Sequence, residues 1–175
     1  RRISMRFHRS FEPEFHKERI NEPYKLKEPA RIFTVSMGDL FGDWVPESWI
    51  NEVLEVIDFC PQHDFMIHTK NPKRLAEFYI PMNAWIGITV DSREVYKERL
   101  HYLLEASAYV KFISFEPLLT PIDVNASELK EIDWVIIGGK TGNKPFIPPR
   151  EWADKIIKPA RSSGIAVFLK NNLRY

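Results

Sequence analysis

Six short apolar runs, separated by segments of helical character, constrain this sequence more than anything else in it. They occupy residues 31–37, 64–70, 84–90, 109–116, 133–140 and 165–170. Each is rich in Val, Ile, Phe or Trp, and its apolar residues are nearly continuous instead of alternating. Continuous runs suit strands buried on both faces, which means parallel strands covered by helices.

The intervening segments carry helix signals. Pro46 sits where a first helical turn accepts proline, and Trp49, Ile50, Val53, Leu54 and Ile57 form one stripe behind it. Asn71 followed by Pro72 reads as an N-cap and a first helical residue. Asp91 or Ser92 can cap a helix that turns Val95, Tyr96, Leu100, Leu103 and Leu104 inward. Residues 125–132 have room only for a short helix. Pro149 precedes a helix carrying Trp152, Ile156 and Ile157, which Pro159 should end or kink, because proline cannot donate the helical hydrogen bond.

Strand and helix alternating every 20 to 35 residues or so is the rhythm of βαβ units. With right-handed crossovers the chain is expected to form an α/β domain, a partial or TIM-like (β/α) barrel of about six parallel strands. Residues 31–175 hold the repeats, and residues 1–30 read as a separate lead-in: a helix at the start, a short helical turn near 13–19, and a linker.

Composition closes off other classes. The 175 residues include 25 Lys and Arg against 24 Asp and Glu, a net charge of +1, so a polybasic binder is not the simplest account. No apolar run approaches the roughly 18 residues of a membrane helix. The basic residues at the start are not followed by the apolar core of a signal peptide. A single cysteine, Cys60, allows neither an intrachain disulfide nor a cysteine metal cage, and a reducing, cytoplasmic home is the default expectation. The chain begins at Arg1, not Met, and reads as a piece of something longer.

In parallel α/β folds ligands bind on the loops after the strands. Here every run turns polar or glycine-rich at that end. The first ends in Ser36-Met37-Gly38-Asp39, the second in His68-Thr69-Lys70-Asn71 and the third in Thr89-Val90-Asp91. The fourth ends in Ser114-Phe115-Glu116-Pro117, the fifth in Gly138-Gly139-Lys140-Thr141-Gly142 and the sixth in Lys170-Asn171-Asn172. Strand ends are polar wherever a chain leaves its core, and Ser36, Thr89 and Ser114 have an alternative use as caps or turns. Glu116 is less easily explained that way: a carboxylate directly after an apolar run needs a partner or a cleft. Asp39, His68 and Lys70 are further pocket candidates. Gly139-Lys140-Thr141 is not a P-loop, because Trp134 stands where that motif needs glycine. Its glycines suit a tight turn or a close backbone approach to a ligand. No His-Glu-x-x-His, paired-cysteine or GxSxG motif is present, and Glu12, Glu14, His16 and Glu18 read as solvated surface, so no residue is assigned to a metal.

Several segments are similar to a known pattern. They are 33–42 with Trp44-Val45-Pro46, 69–75 (Thr-Lys-Asn-Pro-Lys-Arg-Leu), 85–90 (Trp-Ile-Gly-Ile-Thr-Val), 114–119 (Ser-Phe-Glu-Pro-Leu-Leu), 132–139 and 167–173. Together they resemble the uncharacterised family named for two phage gene products, which looks like a branch of the radical S-adenosylmethionine (SAM) proteins. The resemblance implies a (β/α) partial barrel that binds SAM and a [4Fe-4S] cluster held by three cysteines in a loop after a first strand. That strand and its loop are expected upstream of Arg1, residues 1–7 resemble the helix that comes after them, and Cys60 matches no cluster position. The cluster ligands are therefore not in this chain. By position, Ser36, Gly38 and Asp39 would meet the amino group of SAM's methionine. Thr89, Ser114, Glu116, Gly138 and Gly139 would meet its ribose, carboxylate and adenine. Lys70 and Lys140 would meet substrate or the SAM carboxylate, since a lysine is a point-charge anion binder. His68 and Lys170 complete the substrate side.

Three functions are thus open. One is a radical-SAM-type enzyme acting on an unknown small molecule or a nucleic-acid-related substrate. Another is a cluster-free barrel enzyme using Glu116, Asp39 and His68 as acid, base and anchor. The third is a nucleic-acid or protein-partner module in which Arg1, Arg2, Arg6, Arg9, Lys17 and Arg19 track a phosphate backbone while Phe7 or Phe11 stacks a base.

Overall fold

A computed structural model describes residues 14–175. The expected starting helix and most of the basic, aromatic cluster (Arg1, Arg2, Arg6, Phe7, Arg9 and Phe11) lie outside those residues. Six strands run in the order β1 (Arg31–Phe33), β2 (Asp64–Thr69), β3 (Ala84–Thr89), β4 (Val110–Phe115), β5 (Trp134–Ile137) and β6 (Ala166–Leu169). Every neighbouring pair is parallel and consecutive in sequence, and the sheet curls into a half-barrel. Helices α1 (Glu47–Asp58), α2 (Arg93–Glu105) and α3 (Arg150–Ser162) form the crossovers, with 3₁₀ segments at Pro72–Glu77 and Ala126–Leu129 in the remaining two.

The helices cover one face. Ile50, Leu54 and Ile57 of α1, Tyr96, Leu100 and Leu103 of α2, and Ile156 and Ile157 of α3 are buried in one core with Phe65, Ile67, Ile86, Ile88, Ile113, Phe115, Val135 and Ile137 of the sheet. These sheet residues alternate along their strands, so the intervening ones point to the opposite, concave face. That face corrects the expectation of burial on both sides. Only β3 and β4, in the middle, are covered on both faces, whereas β2 alternates and β6 exposes Ala166 and Phe168.

Local chemistry moves three boundaries. The run 31–37 forms only a three-residue strand, because Val35 adopts a left-handed conformation with φ 56°. Asn71 does not cap by its side chain, and the residues after it form a 3₁₀ segment in place of an α-helix; the Asn71 amide donates to Asp39 Oδ2 at 3.0 Å. Helix α3 runs through Pro159 to Ser162. The proline leaves the carbonyl of Lys155 without its helical donor, but Lys155 is exposed and water can serve there. The next turn is held by wholly buried Ala160.

The lead-in is tied down at two places. Phe15 stacks on Trp49 of α1 with centroids 5.2 Å apart. Buried His63 accepts from the Ala30 amide through Nδ1 at 3.1 Å, and its Nε2 lies 3.2 Å from the Pro23 carbonyl. Cys60 is buried at the end of α1, where burial pushes its thiol pKa up. Among the described residues no helix is long and apolar enough to cross a membrane.

Candidate functional site

The parallel register aligns the concave residues in rows. His68, Gly87, Phe112 and Trp134 are successive partners across β2 to β5. Rings fill this row from one edge to the other: Phe33 to His68 at 4.9 Å, His68 to Phe112 at 6.3 Å, Phe112 to Trp134 at 5.7 Å, and Trp134 to Phe168 at 6.4 Å between centroids. Gly87 is what leaves room for the Phe112 ring in this row. A Cβ there would sit 2.3 Å from the Phe112 ring. Phe112 is wholly buried, while Phe33 and Phe168 at the two ends are about half exposed, at 46% and 51%.

One row nearer the carboxyl ends, Thr89 pairs with Ser114, and both are buried. Beyond them Glu116, Gly138 and Lys170 come together. Lys170 Nζ donates to Glu116, 2.7 Å from Oε1 and 2.8 Å from Oε2. The Glu116 side chain reaches Lys170 by crossing Gly138, where a Cβ would be 2.9 Å from the carboxylate.

His68 stands among these charges. Burial lowers its pKa; Asp39 and Glu116 act to raise it, and Lys170 and Lys70 to lower it further. The ring is therefore neutral at pH 7. Its Nδ1 is buried with no hydrogen-bond partner among the described residues, as is Thr34 Oγ1. A buried ring nitrogen without a partner is uncommon in a folded protein and sets His68 apart from the other polar groups of this face.

Asp39 is engaged differently. Oδ2 accepts from the Lys70 amide at 2.7 Å and from Asn71, while Oδ1 accepts from the Phe41 amide at 3.1 Å. It staples the β1 exit turn to the β2 exit. Ser36 and Gly38 lie in that exposed turn, beside strained Val35. Gly139 faces away from the concave side: its amide donates to Asn172 Oδ1 at 3.1 Å and its carbonyl accepts from Asn172 Nδ2 at 2.8 Å. Lys140 is exposed in a separate hairpin beyond β5. So the fold gathers Asp39, His68, Lys70, Thr89, Ser114, Glu116, Gly138 and Lys170, and leaves Ser36, Gly38, Gly139 and Lys140 at the margin.

The aromatic row itself is not visible in the sequence. Phe33, Phe112, Trp134 and Phe168 each fall in an apolar run, but a continuous run does not say which residues face the helices. A cleft of about 600 Å³ lies at the opposite, amino-terminal end of the strands, lined by Asp58, Asp64, Tyr79, Met82 and Tyr109 among others. The Asn83 amide at its wall is occupied by the carbonyls of Ile57, Cys60 and His63. Among the described residues no group of three or more His, Cys, Asp or Glu side chains is arranged to hold a metal ion.

Over residues 2–174 the chain matches the family described as "Protein of unknown function (DUF5131)", and it belongs to that family. No curated protein and no solved structure matches it.

Proposed function

We propose that the concave carboxyl end of the half-barrel binds S-adenosylmethionine. The observation that carries this reading is the aromatic row through His68, whose Nδ1 has no partner among the described residues, together with the Glu116–Lys170 pair at the carboxyl ends of the same strands. The chemistry of the donor set fits the molecule. Aromatic faces suit adenine and also the sulfonium cation, which ring quadrupoles attract. Glu116, Thr89 and Ser114 suit ribose hydroxyls, and Lys170 or Lys70 suits the carboxylate. Bound SAM would supply an electrophilic sulfonium centre.

The chain's own residues would do three things there. Buried Phe112 and half-buried Trp134 would exclude water from one side of the ligand. Lys170 would exchange part of its bond to Glu116 for the ligand carboxylate. His68, neutral at pH 7, would hold a ligand proton or donate one at Nδ1. The described residues do not fit a [4Fe-4S] cluster: Cys60 is the only cysteine, and it is buried at the end of α1. The radical branch of SAM chemistry is accordingly not assigned to them.

Isothermal titration of the protein with SAM tests the reading. One saturable site, weakened at least tenfold by Lys170→Met, supports it. No heat at millimolar SAM ends it. A second reading, a cluster-free enzyme, draws on the same neutral His68 as general base and Glu116 as its charged neighbour. It predicts turnover of a small carboxylated or phosphorylated compound without SAM, abolished by His68→Gln.

A further inference from the structure

A second concavity, about 440 Å³ in volume, lies beyond the ends of β5 and β6. Its walls include Lys140, Thr141, Gly142, Phe146, Asn172 and Arg174, and no acidic side chain. The wall is shaped by the backbone: Lys140 and Phe146 exchange both hydrogen bonds of an antiparallel bridge, at 2.8 and 3.1 Å. That bridge closes the turn between them. Within the turn, the amides of Thr141, Gly142, Asn143 and Lys144 donate to no described residue. Gly142 and Lys144 both have positive φ, 81° and 58°.

The cations of this cleft are not neutralised by carboxylates of the described residues, whereas several basic residues elsewhere are. Lys97, Lys155 and Arg150 each hold a carboxylate partner, and so does half-buried Glu116's partner Lys170. Lys140, Lys144 and Arg174 have none among the described residues. Free amides in a turn, two unpaired cations on the walls and no carboxylate form a setting that favours a multiply charged anion. Phe146, which packs on Trp152 with centroids 5.9 Å apart, forms an apolar part of the wall.

We propose that this cleft binds a phosphate group, and hence that the substrate class is phosphorylated. The assignment goes beyond the SAM reading and does not depend on it, because SAM carries no phosphate. The phosphate could belong to a mononucleotide or to a nucleic-acid backbone, and the two sources are separable.

The test is amide chemical-shift mapping on the isotopically labelled full chain, with inorganic phosphate, adenosine, adenosine monophosphate and single-stranded octathymidylate added in turn. Inorganic phosphate should move the amides of residues 141–144 and of Arg174. Adenosine monophosphate should bind about tenfold more tightly than adenosine, as expected when charge-assisted hydrogen bonds are added. Lys140→Gln with Arg174→Gln should erase that difference; both side chains are exposed, so the fold should survive the change. Movement with the oligonucleotide marks a backbone phosphate as the source, and movement with the mononucleotide alone marks a terminal one. Unmoved amides over 141–144, or shifts scattered over lysines such as Lys97 and Lys155, overturn the proposal whatever SAM does. SAM itself should move a different set, around Gly87, Ser114 and Gly138, so failure of one reading is distinguishable from failure of the other.

Discussion

Lys170 at the end of β6 and Glu116 at the end of β4 meet across the intervening strand, Nζ 2.7 Å from Oε1, through the space left by Gly138. Two side chains 54 residues apart are joined because parallel register aligns their strand ends and because one residue between them has no side chain. The Lys170 side chain is 43% exposed, so the pair adds little to stability, about 0.2–1 kcal/mol. Its value is positional. Glu116→Gln and Lys170→Met should each leave the melting temperature within a few degrees of wild type and weaken SAM binding about tenfold or more. Gly138→Ala should do the same from a distance, because its Cβ displaces the carboxylate. A calorimetric titration beside a thermal melt of each variant checks all three.

Asp39 should behave oppositely. Its carboxylate accepts hydrogen bonds from two backbone amides and one side-chain amide, so Asp39→Ala removes a staple and leaves donors unmatched. The expected loss is about 1–3 kcal/mol in denaturant unfolding. A melting curve equal to wild type, with SAM binding abolished, would instead make Asp39 a ligand contact.

Val35 is a β-branched residue held at φ 56°, a conformation that costs of order 1–3 kcal/mol. It is 38% exposed, so little burial is lost on truncation. Val35→Gly should therefore stabilise the fold by about 1 kcal/mol after the extra chain entropy of glycine is subtracted. If the strain poises the β1 exit turn for ligand, the same variant binds SAM more weakly; urea unfolding and titration together read both effects.

His68 makes stability depend on pH. Burial is the main cause of its lowered pKa, so in mildly acid solution the unfolded chain binds a proton that the folded chain does not. Stability from this group is complete above the ordinary histidine value near 6.5 and is lost as pH falls from there through the lowered folded pKa. Thermal melts between about pH 7.5 and 5 should fall more steeply for wild type than for His68→Phe. Parallel curves would remove His68 as their source.

Much of the architecture was legible because periodicity dictates it. The six runs, the stripe Ile50–Leu54–Ile57 and the short helical turn after Asn125 all appear where the sequence puts them. The departures depended on single backbone choices. The β1 run breaks early at Val35, which no propensity places in a left-handed conformation, and Pro159 is tolerated because the carbonyl it orphans belongs to exposed Lys155. Asn71 looked like a cap and serves as a donor to Asp39, a residue 32 positions away that no local pattern connects to it.

Order of elements, parallel pairing and the polar character of every strand end are properties of the chain read in one dimension. Hydrophobic spacing specifies them, since a run of apolar residues must be buried and a helix between two runs must cross over in one hand. The aromatic row, the Glu116–Lys170 pair and the cation-lined cleft are decided in three dimensions. Each needs register between strands and curl of the sheet. Those choose which face of a continuous apolar run turns inward, and they bring residues such as Phe33 and Phe168 onto one concave surface.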